Sequence, residues 1–276
     1  MIDSRLFVFI DDNNSFTDFT YEAFDFSRDT FTHTFTSSED ALYVGFTKPI
    51  NAFYTEIATA NTNSGVITTQ YFNGTSFVDV TGYRDDTKGF NRSGFITWDR
   101  NLLNEAKTTI NSQEAYWYKA EISADTTEVV FDGLNMVLSD DSDLKSEFFE
   151  ILDFLPSGQT SHILSHVASR NQIISEMRRD GRYKVDASTG LIQNPNVFDI
   201  LDFSEVRIAS TFLTLSKIFS SVSDRADDKY KEQSDRYMSL FNKAMDQVYL
   251  AFDRDNDGKL DNQERYLNNT TVLLRR

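Results

Sequence analysis

Residues 139–144 read Ser139-Asp140-Asp141-Ser142-Asp143-Leu144, and the chain changes character there. Small hydroxyl and carboxylate side chains just ahead of a new apolar pattern are what a helix start requires. They accept hydrogen bonds from first-turn N–H groups that have no partner within the helix. Upstream, residues 1–138 hold 15 of the 24 phenylalanines, together with much threonine. Short apolar or alternating runs recur at 6–10 (LFVFI), 41–46 (ALYVGF), 53–57, 66–72 (VITTQYF), 76–80 (SFVDV), 94–98 and 115–122 (AYWYKAEI). Aromatic and β-branched residues broken at such intervals are the pattern of an antiparallel sandwich. In the last of these runs Tyr116, Tyr118 and Ala120 share one face and Trp117, Lys119 and Glu121 the other, which reads as a half-buried strand. Asn73-Gly74 separates two runs and marks a hairpin, since both residues tolerate positive φ.

Downstream the period lengthens. Residues 144–155 read as a short helical segment closed by Pro156-Ser157-Gly158. Residues 160–180 read as a helix with Ile163, Val167, Ile173, Ile174 and Met177 along one side, ended by Gly181. Asp202 and Glu205 form a capping-box-like start to a helix reaching about Val222. Its apolar stripe is Val206, Ala209, Leu213 and Ile218, flanked by Phe212 and Phe219. A last long helix begins near Asp227, with Tyr230, Tyr237, Phe241, Ala244, Met245, Val248 and Phe252 at a 3.6-residue period. The expected fold class is α+β in two domains. Residues 1–140 form an N-terminal antiparallel β-sandwich. Residues 141–276 form a C-terminal α-helical bundle that ends in an EF-hand-like loop.

Composition narrows the function. The chain has 276 residues and a net charge of −16. The first 140 residues carry −12 of this and the remainder −4. A strongly acidic chain is a poor candidate for binding nucleic acid through phosphate contacts, which need a basic face. With no cysteine, disulfides, thiolate catalysis and Cys-ligated zinc are excluded. No apolar stretch approaches the roughly 18 residues that span a bilayer. An acid at position 3 and a five-residue apolar run do not make a signal peptide, so a soluble protein that keeps its N-terminus is expected. The sequons at Asn73, Asn91 and Asn268 then read as chance. The phosphate-cradling motifs G-x-x-x-x-G-K-[ST] and G-x-G-x-x-G are missing, as is a G-x-S-x-G nucleophile elbow.

The sharpest local signal is residues 253–264, DRDNDGKLDNQE. Oxygen ligands fall at Asp253, Asp255, Asp257, Asp261 and Glu264, with the Lys259 carbonyl between them and Gly258 where the loop must turn. Ca²⁺ takes six to eight oxygens, and this spacing gathers them around one point. An acidic, solvated turn is the competing reading. A single loop without a partner loop fits a structural Ca²⁺ staple better than a sensor that opens a helix pair. His162 and His166 lie i, i+4 on one helix, a spacing that can bind metal, but no third ligand is near in sequence, so a surface or packing role is expected. Arg178, Arg179, Arg182 and Lys184 read as a helix C-terminus offsetting its dipole or as a contact for an acidic partner. Trp98, Tyr116 and Trp117 invite a carbohydrate-binding reading, against which stands the usual place of aromatics in a sandwich core.

SHVASRNQIISEMRRDGRYK, then FSEVRIASTFLTLSKIFSSVSDRADDKYKEQSDRYMSLFNKAMDQVYLAF, then the acidic loop, resemble head–tail adaptor (neck, or connector) proteins of tailed bacteriophages across about residues 160–265. The resemblance implies a non-enzymatic virion protein at the head–tail junction, a homo-oligomeric ring of about twelve copies. Its partners would be the portal protein and a tail terminator or tail-tube protein, and DNA would pass through without sequence-specific contact. Such adaptors often dock through a C-terminal tail. Here Thr270, Thr271, Val272, Leu273, Leu274, Arg275 and Arg276 form a β-prone, basic-tipped segment able to add to a partner's sheet edge. The N-terminal half departs from a minimal adaptor. YFNGTSFVDV, GFNRSGFITW and AYWYKAEIS resemble β-domains of phage structural and baseplate-associated proteins, which implies a place outside the ring, against neighbours or collar (neck) fibres. The alternative is a tail- or baseplate-associated carbohydrate- or fibre-binding module stiffened by calcium.

Overall fold

The computed structural model describes residues 6–24, 26, 29–99, 104–179, 184–185, 192–193, 197, 200, 203–223 and 229–247. The chain is α+β, with antiparallel sheets followed by helices, and divides into two compact units, Met1–Met136 and Val137–Arg276. The sequence-derived boundary, between 140 and 141, falls four residues later than this division.

The first unit holds two main sheets. One contains β1 (Leu6–Asp12), β2 (Ser15–Asp18), β4 (Ala41–Phe46), β6 (Ile67–Phe72), β7 (Phe77–Asp79), β10 (Lys107–Ile110) and β11 (Gln113–Ile122), in the order β2-β1-β4-β11-β6-β7, with β10 also paired to β11. The other is β3 (Phe31–His33), β12 (Val129–Asn135), β5 (Ala52–Thr59), β9 (Gly94–Thr97) and β8 (Arg84–Asp85), in that order. A short helix, α1 (Thr20–Phe24), follows β2. The sheets meet where the Trp98 and Tyr118 rings approach to 4.7 Å and the Tyr118 hydroxyl bonds both the N–H and the carbonyl of Ile50. Val8, Leu42, Val44, Phe46, Tyr118 and Ile122 line the core face of the first sheet and are buried.

Sequence and structure part company on the opposite face of that sheet. The alternation in 115–122 places Trp117 on the outer face, and it does lie there, yet it is 1% exposed. Phe9 stacks on it at 5.2 Å, Phe7 and Tyr43 pack at 6.1 and 6.5 Å, and Phe77 and Ile110 close the sides. The sheet is thus apolar on both faces at its centre, so its central strand β4 is buried along its whole length. Gly45 makes this possible. It pairs with Phe7 on one side and Trp117 on the other, and a Cβ on it would sit 2.7–2.8 Å from the indole ring. Glycine in a strand interior here marks a close approach, with a flat ring lying over the bare backbone.

Two hairpins that the sequence reading missed are tight two-residue turns. Asn13-Asn14 joins β1 to β2, and Asn111-Ser112 joins β10 to β11, with all four residues at positive φ. The Asn73-Gly74 hairpin is present as a four-residue loop in which only Gly74 has positive φ, and the Asn73 carboxamide oxygen accepts from the Thr75 and Ser76 N–H groups.

The second unit contains α2 (Asp141–Glu147), a 3₁₀ turn (Ile151–Phe154), α3 (Ile163–Arg179), the small hairpin β13 (Lys184–Val185) and β14 (Ile192–Gln193), α4 (Ser204–Val222) and α5 (Lys229–Gln247). The segment expected as one helix over 144–155 is therefore a capped helix and a separate turn. The N-cap of α4 is Phe203, with no side-chain cap bond; Asp202 and the side chain of Glu205, the expected capping box, lie outside the described residues.

The α4–α5 pair runs antiparallel. Phe219 meets Tyr230, Ser216 meets Ser234 and Phe212 meets Tyr237. At the crossing each serine hydroxyl donates to the other's backbone carbonyl, both at 2.9 Å. Phe219 is stacked nearly parallel to Tyr230 and Tyr237, which sit one heptad apart on α5, while Phe148 and Phe154 pack edge-on against it. α3 and α4 run in the same sense, because Ser169 bonds Thr214 and Ser139 bridges His166 to Ser210.

Gly45→Val should therefore displace the Trp117 ring and cost about 1–3 kcal/mol. Thermal denaturation would report the loss and near-ultraviolet circular dichroism the altered indole packing. An unchanged dichroism spectrum would contradict the glycine's role.

Candidate functional site

The candidate metal ligands Asp253, Asp255, Asp257, Lys259, Asp261 and Glu264 lie outside the described residues. So do the tail residues Thr270, Thr271, Val272, Leu273, Leu274, Arg275 and Arg276. A dense polar constellation among the described residues is instead built by the segment at which the sequence changes character.

Each residue of Ser139-Asp140-Asp141-Ser142-Asp143 has a separate job. Asp140 caps α2, its carboxylate accepting from the N–H groups of Ser142 and Asp143, while Asp143 accepts from the Asp140 N–H to complete a capping box. The Ser142 hydroxyl adds a donor to Asp140 at 2.5 Å. Asp143 also receives Arg207 of α4, with Nε 2.9 Å from both carboxylate oxygens. The guanidinium lies over the Phe203 ring, 3.9 Å from Asp140 at its nearest. Asp141 reaches α3, accepting from the His162 backbone N–H and from His166 Nε2 at 3.2 Å. Ser139 lies 2.9 Å from His166 Nδ1 and 2.8 Å from the Ser210 hydroxyl of α4. Five consecutive residues thus tie α2, α3 and α4 together.

The electrostatics follow from burial. The charge and hydrogen bond of His166, together with His162, hold the Asp141 carboxyl below its ordinary value, overcoming the opposing effect of desolvation. Ionised Asp141 therefore stabilises the fold fully above its unfolded value of 3.8, and that contribution is lost as pH falls through the lower native value. Burial, then the adjacent Asp140 charge, raises the Asp143 carboxyl in spite of Arg207. Burial lowers His162, more than the Ile151 carbonyl and Asp141 raise it.

The Ser139–His166–Asp141 chain has the composition of a nucleophile triad, but its geometry does something else. His166 Nε2 faces Asp141, to which it donates, and Nδ1 faces the Ser139 hydroxyl. The nitrogens are used in the reverse of the order in the serine-protease arrangement, where Nε2 faces the nucleophile. Ser139 is 0% and His166 1% exposed, so no acyl group reaches the hydroxyl, which already contacts Ser210. Among the described residues no three His, Asp or Glu side chains gather as a metal site. His162 and His166 are both buried, and their hydrogen bonds go to Asp141, Ile151 and Ser139. Sequence reasoning missed their joint anchor in Asp141, although the aspartates were visible as a cap.

Trp98 and Trp117 are 3% and 1% exposed and offer no face to a sugar. The half-buried Tyr116 has Lys107 over its ring at 5.5 Å. Arg178 and Arg179 are exposed on the last turn of α3, where Arg179 pairs with Glu176. The side chains of Arg182 and Lys184 lie outside the described residues. Among the described residues no helix is long and apolar enough to cross a membrane. No family model matches the sequence, and no curated protein matches it.

Replacing Arg207 by Met should leave Asp143 and Asp140 facing each other without a cation, at a cost of about 1–3 kcal/mol at pH 7. Because the variant's Asp143 would be raised further, protonation should relieve the repulsion. The stability difference from the parent, measured by urea denaturation at each pH, should therefore shrink towards pH 5. A difference that stays constant with pH would show that Arg207 acts through packing alone.

Proposed function

We propose that this chain is a non-enzymatic structural protein of a tailed-phage particle, a head–tail adaptor. Copies of the helical unit form a ring of about twelve beneath the portal and continue the DNA channel towards the tail. The observation that supports this reading is the bundle of α3, α4 and α5. It covers Ile163–Arg179, Ser204–Val222 and Lys229–Gln247, most of the stretch that carries the resemblance, and presents it as helices in the required order. The buried Ser139 hub fits the same reading, since its polar groups are spent on joining helices. The portal and a tail terminator or tail-tube protein are the partners. Residues 270–276 supply the docking strand, and the acidic β-unit lies outside the ring, against neighbours or collar fibres. The burial of Trp98 and Trp117 disfavours the carbohydrate-binding alternative.

Native mass spectrometry of the full chain mixed with the portal protein of the same genome tests the proposal. A discrete complex with one copy per portal subunit is expected. A monomer that leaves the portal unbound would overturn the assignment.

In the same proposal residues 253–264 hold one Ca²⁺ as a staple after α5. Calorimetry should detect binding at millimolar Ca²⁺ or below, and Ca²⁺ should raise the melting temperature by linkage. Asp253→Ala combined with Glu264→Ala should abolish both effects while leaving the Ca²⁺-free melting temperature unchanged. No heat of binding at millimolar Ca²⁺ would remove the staple.

A further inference from the structure

His162 opens α3, yet its ring turns back towards α2. Its backbone N–H bonds Asp141 at the start of α2, and its ring Nε2 lies 3.0 Å from the carbonyl of Ile151 in the 3₁₀ turn. The residue is 2% exposed. A ring whose Nε2 carries its single proton donates to the Ile151 carbonyl. Two titratable groups face it. Asp141 of α2 would welcome a charge, but it is already engaged by His166, and His166, one turn along α3, opposes a second cation. Arg207 of α4 is held by Asp143 and Asp140. Burial outweighs the attraction of Asp141, so the uncharged ring is the one that fits.

We propose that His162 is an acid-sensitive latch: uncharged, it holds α2 and the Ile151–Phe154 turn against α3, and on protonation it releases residues 141–155 while the α4–α5 pair stays closed. The sign follows from burial. The unfolded or opened segment takes up the proton near pH 6.5, whereas the closed segment resists it, so the closed form loses stability as pH falls from that value towards the native one. The α4–α5 crossing is made by Ser216 and Ser234 and carries no histidine.

Hydrogen exchange of the full chain, read by mass spectrometry and corrected for intrinsic rates, tests this. Peptides within 141–155 should open up to about tenfold more often per pH unit below 6.5, until the native value is reached, while those of α4 and α5 should change far less. His162→Gln keeps an amide donor for the Ile151 carbonyl and cannot titrate, so it should abolish the increase. Equal protection at pH 7.5 and 5.5, or an increase that persists in His162→Gln, overturns the proposal. Should that variant fail to fold, the His162 ring resonances of the parent protein decide. They must titrate below 6.5 in step with the exchange, and a different midpoint overturns the latch.

Discussion

The helical unit depends on one carboxylate. Asp141 is buried enough that its charge would be costly alone, and it stays ionised because two groups of α3 meet it: the His162 backbone N–H and His166 Nε2. Removing either donor would leave an ion with too few partners in a poorly solvated site. Its neighbours extend the same logic. Asp143 is matched to Arg207 on α4 and Ser139 to Ser210. Apolar packing around Phe219 gives the bundle its cohesion, but apolar contact is non-directional. Directional bonds from a five-residue segment specify which helix lies where.

The β-unit meets a different constraint. A sheet usually has a core face and a wet face, and alternation in the sequence reports which is which. Here the centre of the larger sheet is dry on both sides, because Phe9, Tyr43, Trp117 and Phe77 shield one another over Gly45. The acidic excess of this half is therefore carried around an aromatic patch that its own rings cover.

Legibility in the sequence followed the range of the interactions. Strands β1, β4, β5, β6, β7, β9 and β11 coincide with runs that alternate or are wholly apolar, since those patterns are written in neighbouring residues. β2, β8, β10 and the seven-residue interior strand β12 were not foreseen. The first three are short, polar edge strands whose identity comes from a partner across the sheet. The turns at Asn13-Asn14 and Asn111-Ser112 lack glycine, the signal that marked Asn73-Gly74. In the helical half, α3, α4 and α5 matched the 3.6-residue period closely, and the capping role of the aspartates was visible. The partners of His162 and His166 were not, because Asp141 lies 21 and 25 residues away and no spacing rule links a cap to a distant helix.

The serine pair at the α4–α5 crossing has a mechanical consequence. Two hydroxyls that each donate to the opposite backbone fix the helices axially as well as laterally. Sliding α5 by one turn, about 5.4 Å, would bring the larger Tyr230 or Met238 to the place of Ser234, and neither side chain can repeat the reciprocal pair of hydroxyl-to-carbonyl bonds. Such ratchet steps are how packed helices change register in proteins that switch. This pair has no comparable second register, so a push along one helix passes to the other as if they were a single strut.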